Sequence, residues 1–351
     1  MAWLVKDDSF DAVLETIEYF MQKPWSDGLP IVPPTESRIQ TMIEAAGLPP
    51  AQVLASIPPL NNPLTVQDLA AHAVMAGCIP SYMPVLLAIV NAITSPAFNL
   101  LGVQATTHNC APLAVVGGSI KNKIGMNSGH NVFGSGNRAN ATIGRALRLV
   151  LLNIGGGLPE KGDKSTFGHP GKYTFCIAED EGVLPWEPLH SEIGTASSSG
   201  VTVFACEAPH SVVVHGLDGK TILDSVASTM STLGNNNTMF GGQMMVIFGK
   251  EHIHTLHEEG WSRRDVQSYL YENARVAMTD IDRVGERFDN PRSWPVWVME
   301  KYKTDAEYRV PVVRYREDIL LTSSGGQGAF SMILPGWGYM GGYACSAAIV
   351  E

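Results

Sequence analysis

Two cysteines, two histidines and two arginines stand where their types and spacing can do chemistry. Cys78 follows Gly77 and stands two residues before Pro80, at the entry to a helix. A thiol at a helix N-terminus is favoured as thiolate, so Cys78 is a candidate nucleophile or redox group. Cys110 lies two residues after His108. On an extended strand both side chains point the same way, which sets a base beside a thiol or two soft metal ligands on one face. The remaining cysteines, Cys176, Cys206 and Cys345, are scattered, and no CxxC pair exists. That spacing argues against a disulfide framework and against a structural zinc site, and buried free thiols are the plain alternative.

The densest polar stretch, residues 104–145, carries most of the other candidates. Asn109, Asn127, Ser128, His130, Arg138, Asn140 and Arg145 all fall within it, around Gly134 and Gly136. The glycines let backbone amides turn toward a ligand, and the helix that begins just after them adds partial positive charge. Arg138 and Arg145 are expected to hold a carboxylate or phosphate in bidentate fashion, with His130 moving protons. A tight turn with surface arginines is the competing reading. Gly134-Ser135-Gly136 lacks the third glycine of a dinucleotide fingerprint and no complete Walker-type GxxxxGK(S/T) loop occurs, so the cofactor is left unknown. Farther on, Gly168-His169-Pro170-Gly171-Lys172 adds His169 and Lys172 as binding candidates. The acidic trio Glu179-Asp180-Glu181 falls at the carboxyl end of a predicted strand, where a general acid or base belongs, and Glu179 is the candidate. A solvated turn explains the trio equally well. His252, His254 and His257 do not make a metal cluster, because on a helix the first two are about 200° apart. The run 235–238 reads as a turn.

These residues need elements to hold them. The apolar runs 111–116, 244–248 and 319–321 each end in a glycine-bearing exit and read as buried strands. Residues 173–178, 201–206 and 211–215 read as further strands. Helices are expected over 10–20, from Thr35 to near Gly47, from a Thr65–Asp68 capping box to Gly77, over 80–93, 120–124, 141–153 and 251–258, and from a Ser262 cap to Arg275. The fold class is therefore α/β, a mixed or mostly parallel sheet flanked by helices. Residues 1–100 form a mainly helical region and residues 101–351 the α/β catalytic region, packed as one compact unit. Ligands gather outside the carboxyl ends of strands in such sheets, so the three glycine exits are expected to face one crevice, as a weak internal repeat would arrange.

With 45% hydrophobic and 17% charged residues the chain can bury a sizeable core. Its net charge of −10, with no basic stripe, disfavours nucleic acid as a partner. The N-terminus turns acidic before any apolar stretch, and the apolar helical runs are far shorter than the roughly 20 residues of a membrane span. Cytoplasmic location, no membrane partner, a small-molecule substrate and a homo-oligomer are the resulting expectations.

Several stretches resemble an uncharacterised bacterial family, the UGSC-like, selenoprotein-related proteins. They are Asp27-Gly28-Leu29-Pro30, Ala73-Val74-Met75-Ala76-Gly77-Cys78, residues 138–146, Gly168-His169-Pro170-Gly171-Lys172-Tyr173 and Pro335-Gly336-Trp337-Gly338. The resemblance spans nearly the whole chain. It implies one continuous enzyme-like architecture and thiol or selenol redox chemistry, although this chain has no Gly-Ser-Cys tail and its last thiol is Cys345.

The leading functional expectation is an enzyme that cleaves a carbon–heteroatom or carbon–carbon bond in a small polar or carboxylated metabolite, as a lyase or hydrolase. Cys78 or Cys110 attacks, His108 or His130 moves protons, and Arg138 and Arg145 orient the anionic group. The alternatives are a metalloenzyme built on His108, Cys110 and His130, and a non-catalytic, Met-rich subunit or binding protein.

Overall fold

The computed structural model describes residues 11–215, 218–284, 295–338 and 341–350. Residues 1–10, on which the reading of the N-terminus and the start of the first helix rest, lie outside them. Twelve strands occur among the described residues: β1 (Val53–Ile57), β2 (Asn62–Thr65), β3 (Ala111–Gly118), β4 (Cys176–Ala178), β5 (Ser199–Cys206), β6 (His210–Val213), β7 (Met244–Phe248), β8 (Arg275–Ala277), β9 (Arg309–Pro311), β10 (Ile319–Ser323), β11 (Phe330–Pro335) and β12 (Cys345–Ala348).

Eight of them form two mixed four-stranded sheets with the same wiring. In the first, β3 runs parallel to β4 and antiparallel to β5, and β12 pairs antiparallel with the outer edge of β5. In the second, β7 runs parallel to β10 and antiparallel to β11, and β6 pairs antiparallel with the outer edge of β11. The fourth strands are exchanged. β6 follows β5 in the chain but completes the second sheet, and β12 follows β11 but completes the first. The chains cross where Cys206 bridges Gly336, and Trp337 N donates to Ala205 O (3.2 Å).

The period of two along each strand builds the layers. Ala111, Leu113 and Val115 of β3 pack with Met245 and Ile247 of β7 in one cluster, so the sheets lie face to face. Ala114 and Val116 point the other way, into a cluster with the N-terminal helices and the helix Arg138–Asn153. Met244, Val246 and Phe248 of β7 face the helices Gly219–Met230 and Arg263–Asn273. The order is helix, sheet, sheet, helix, an α/β fold with a helix-rich N-terminal region. Residues on both sides of position 100 share the first cluster, so the core has no break there.

Of the three glycine exits, those after β3 and β7 are equivalent by register. The third, after β10, is the counterpart of Glu179-Asp180-Glu181 after β4, because Glu179 N donates to Val116 O (2.9 Å) as Ser324 N donates to Phe248 O (3.2 Å). Some local expectations shift. The hairpin β1–β2 interrupts the helical N-terminal region. Residues 173–175 are not strand: Tyr173 N closes a turn on Pro170 O, and Thr174 Oγ1 donates to Ala141 O (2.7 Å). Residues 236–240 form a short helix capped by Asn235 rather than a turn, and Arg275 begins β8 instead of ending a helix. Thr65 and Asp68 make the expected capping box, whereas Thr35 stands at its N-cap without a side-chain bond to the helix amides. No single helix among the described residues is long and apolar enough to cross a membrane.

Candidate functional site

The carboxyl ends of β3, β4, β7 and β10 meet. Asp180 N donates to Ser323 O (2.7 Å), Ser324 Oγ to Ala178 O (2.9 Å), and Ser324 N to Phe248 O (3.2 Å). Beyond this junction lies a cavity of about 300 Å³ between two loops. One loop brings His130, Asn131 and Phe133, and the other brings Ser324, Gly325, Gly326 and Gln327. The loops are tied by Gly325 N to Ser128 O (2.9 Å) and Ser324 Oγ to Ser128 O (3.2 Å). The His130 ring lies directly over Gly326, where a Cβ would run into Nδ1. Gly249, also in the wall, is the N-cap of the helix Lys250–Glu258 and offers no side chain to its first amides. Unpaired amides at a helix start favour an anion. A second cavity of about 430 Å³, with Lys250, His254 and His257, shares Gln327 with the first.

Under the junction sits Glu179, buried at the end of β4. Its carboxylate accepts from Leu189 N (3.2 and 3.1 Å) and from Thr322 Oγ1 of β10 (2.5 Å). Burial pushes the carboxyl up to about 7, the neighbouring Glu181 adds to that rise, and the Thr322 and Leu189 donors and Arg263 oppose it. Around Gly117 three polar atoms converge. His190 Nδ1, Glu181 Oε1 and Glu179 Oε2 lie 2.8, 3.0 and 3.2 Å from where a Cβ would sit. His190 is buried, its Nε2 lies 3.1 Å from Ser197 O, and its Nδ1 has no hydrogen-bond partner among the described residues. Lys121 Nζ donates to Glu179 O (2.6 Å) and lies 3.8 Å from Glu181.

The other predicted residues go elsewhere, and the expected single hollow is not formed. Cys78 lines a separate cavity of about 220 Å³ with Arg38 and Arg138. Its thiol is not depressed: burial pushes it up to about 12, against the Thr142 hydroxyl and the Arg138 charge. Cys110 is buried in dry packing and is likewise pushed up to about 12 by burial. His108 turns from Cys110 to Glu207, with Nε2 2.7 Å from Oε1. Among the described residues no three His, Cys, Asp or Glu side chains are placed to share a metal ion, so His108, Cys110 and His130 do not form the alternative metal site.

Several candidates hold the chain's own backbone. Asn109 Oδ1 accepts from Phe167 N and Gly168 N (2.8 and 3.0 Å). Asn140 clasps Asn127 through its N and O (3.0 and 2.9 Å), and Asn127 Nδ2 donates to His130 O (2.8 Å). His169 Nδ1 accepts from Gly171 N (3.1 Å), and burial pushes the ring down to about 4. Lys172 is paired with Asp163 and Ser165 (both 2.5 Å). Arg145 holds Asp27 through two bonds of 2.8 Å and also donates to Leu29 O and Pro30 O (3.2 and 3.0 Å). It fastens the Asp27-Gly28-Leu29-Pro30 turn to the helix Arg138–Asn153 rather than holding a ligand. Arg145→Ala is expected to cost about 2 kcal/mol in urea unfolding, the partial exposure of the pair trimming the penalty of an orphaned carboxylate. A loss within error would mean the turn is held by something else.

Sequence reasoning missed His190, Thr322, Lys121, Arg38 and Glu207, and preferred Glu179 to its neighbour Glu181. Strand register brings Thr322 to the junction and the short helix Leu189–Glu192 brings His190, neither of which a local pattern displays. No protein-family model and no curated protein matches the chain, so its resemblance to the UGSC-like proteins gains no support.

Proposed function

We propose that the protein is an enzyme acting on a small polar, carboxylated metabolite by acid–base bond cleavage, in the manner of a lyase or hydrolase, in the crevice at the strand ends. The observation that carries this reading is the His130 imidazole laid over Gly326 in a cavity of about 300 Å³ where the strand exits of both sheets meet. A cavity of that size is at the small end of ligand sites. His130 takes a proton from the substrate or from a water attacking it, and returns it to the leaving group. The start of the helix Lys250–Glu258, whose N-cap Gly249 stands in the wall, lends its partial positive charge to the carboxylate. Glu179 acts through Thr322 and the β10 exit, as a positioning residue. The thiols take no part, since burial disfavours each thiolate.

The test incubates the protein in D2O with a panel of hydroxy-, oxo- and amino acids and follows deuterium incorporation or cleavage by NMR. His130→Ala is expected to lower the rate on the order of 100-fold or more. Gly326→Ala, whose new methyl displaces the ring, is expected to do the same while leaving the unfolding midpoint nearly unchanged, because His130 is exposed and can swing outward. Activity that survives both substitutions removes His130 from the chemistry.

A further inference from the structure

The cavity beside Cys78 has a charge pattern that the crevice does not share. Two cations overlook it. Arg38 stands on the helix Glu36–Ala46, and Arg138 opens the helix Arg138–Asn153. Arg138 Nε donates to Gly77 O (2.9 Å), which fixes the guanidinium at the rim and leaves its terminal amino groups for another acceptor. Neither arginine forms an ion pair with a carboxylate among the described residues, although the protein carries a net charge of −10. In so acidic a chain, two guanidiniums left over one cavity mark a place where an anion is favoured. Beneath them the wall is apolar: Val32, Met42, Val74, Ile79 and Pro80. Phosphate has no use for such a floor, whereas a hydrocarbon chain buries its surface there. The volume of about 220 Å³ limits the ligand to a few carbons.

We infer that this cavity binds a short-chain monocarboxylate, with its carboxylate between Arg38 and Arg138 and its hydrocarbon chain over Val32, Met42, Val74 and Ile79. The site shares no lining residue with the crevice that holds His130. Guanidinium forks match the two oxygens of a carboxylate, and the chain's apolar contacts supply the remainder of the selectivity.

The test is calorimetric titration of the full chain with sodium butanoate, with butanamide as the uncharged isostere and with inorganic phosphate. Butanoate is expected to saturate one site, butanamide to show no binding, and phosphate to bind at least fivefold more weakly. Arg38→Gln is expected to weaken butanoate about fivefold. Arg38 is exposed and supports no backbone group, so its loss reads the site rather than the fold. Arg138→Gln is expected to weaken it at least as much. The same titration of His130→Ala is expected to be unchanged, which separates this site from the crevice. Butanamide binding as tightly as butanoate, phosphate binding as tightly, no saturation, or an Arg38→Gln variant with wild-type affinity would each overturn the assignment. So would loss of butanoate binding in His130→Ala.

Discussion

Glu179→Gln is expected to make the protein more stable at pH 8, by about 3 kcal/mol, and to change little at pH 4. Glu179 is buried, and its carboxyl titrates near 7 instead of near the ordinary 4.5. The folded state therefore holds the proton more tightly than the unfolded chain does. Its contribution is fully present below pH 4.5 and is lost as pH rises through 7. Glutamine resembles the protonated form and carries no such loss. Its oxygen can accept from Leu189 N and Thr322 Oγ1, and its amide would point toward His190 Nδ1 and Glu181, two acceptors already gathered around Gly117. Urea unfolding of both proteins at pH 4, 6 and 8 measures the difference, since the carboxyls not coupled to Glu179 cancel. A variant less stable than the wild type at pH 8 would show that the ionised carboxylate is the form this junction requires.

Gly118→Ala is expected to cost about 4 kcal/mol, beyond the range of ordinary substitutions. The residue has φ +89°, a conformation strained for any side chain, and its Cβ would fall onto Ser198 O and Ser199 Cα, which are backbone atoms without freedom to withdraw. Its amide also donates to Glu181, so a shift there disturbs the acidic junction. Gly125 supplies the control. It has φ +67° and open space around it, so alanine there carries conformational strain alone, about 1 kcal/mol. Equal losses at the two positions would show that the close approach of residue 198 is not what demands glycine.

The strands that carry this junction were legible because burial writes itself into composition. The run Met244–Phe248 is apolar throughout, faces a helix layer on one side and a sheet on the other, and ends at a glycine, as expected. The hairpin β1–β2 was hidden by its half-exposed, five- and four-residue strands. Glu179 was placed correctly at a strand's carboxyl end, yet its partner Thr322 lies 143 residues away and could be matched only through register. Part of the polar stretch 127–145 misled for a physical reason. Asn140, Asn127 and Arg145 are the residue types that hold ligands, and the same donors and acceptors satisfy irregular backbone around glycines. Cys78 misled because nearness to a helix start was weighed without burial, and desolvation outweighs the neighbouring Arg138.

The exchange of β6 and β12 makes each half a borrower from the other. Without its loaned edge, either sheet would present an open row of amides and carbonyls along β5 or β11, a surface prone to pairing with strangers. A cut after β6 and before β7 leaves two fragments that must reassociate before either sheet is whole. The two halves thus melt, and fold, as partners in one event, and the crevice between their strand ends exists only when both are in place.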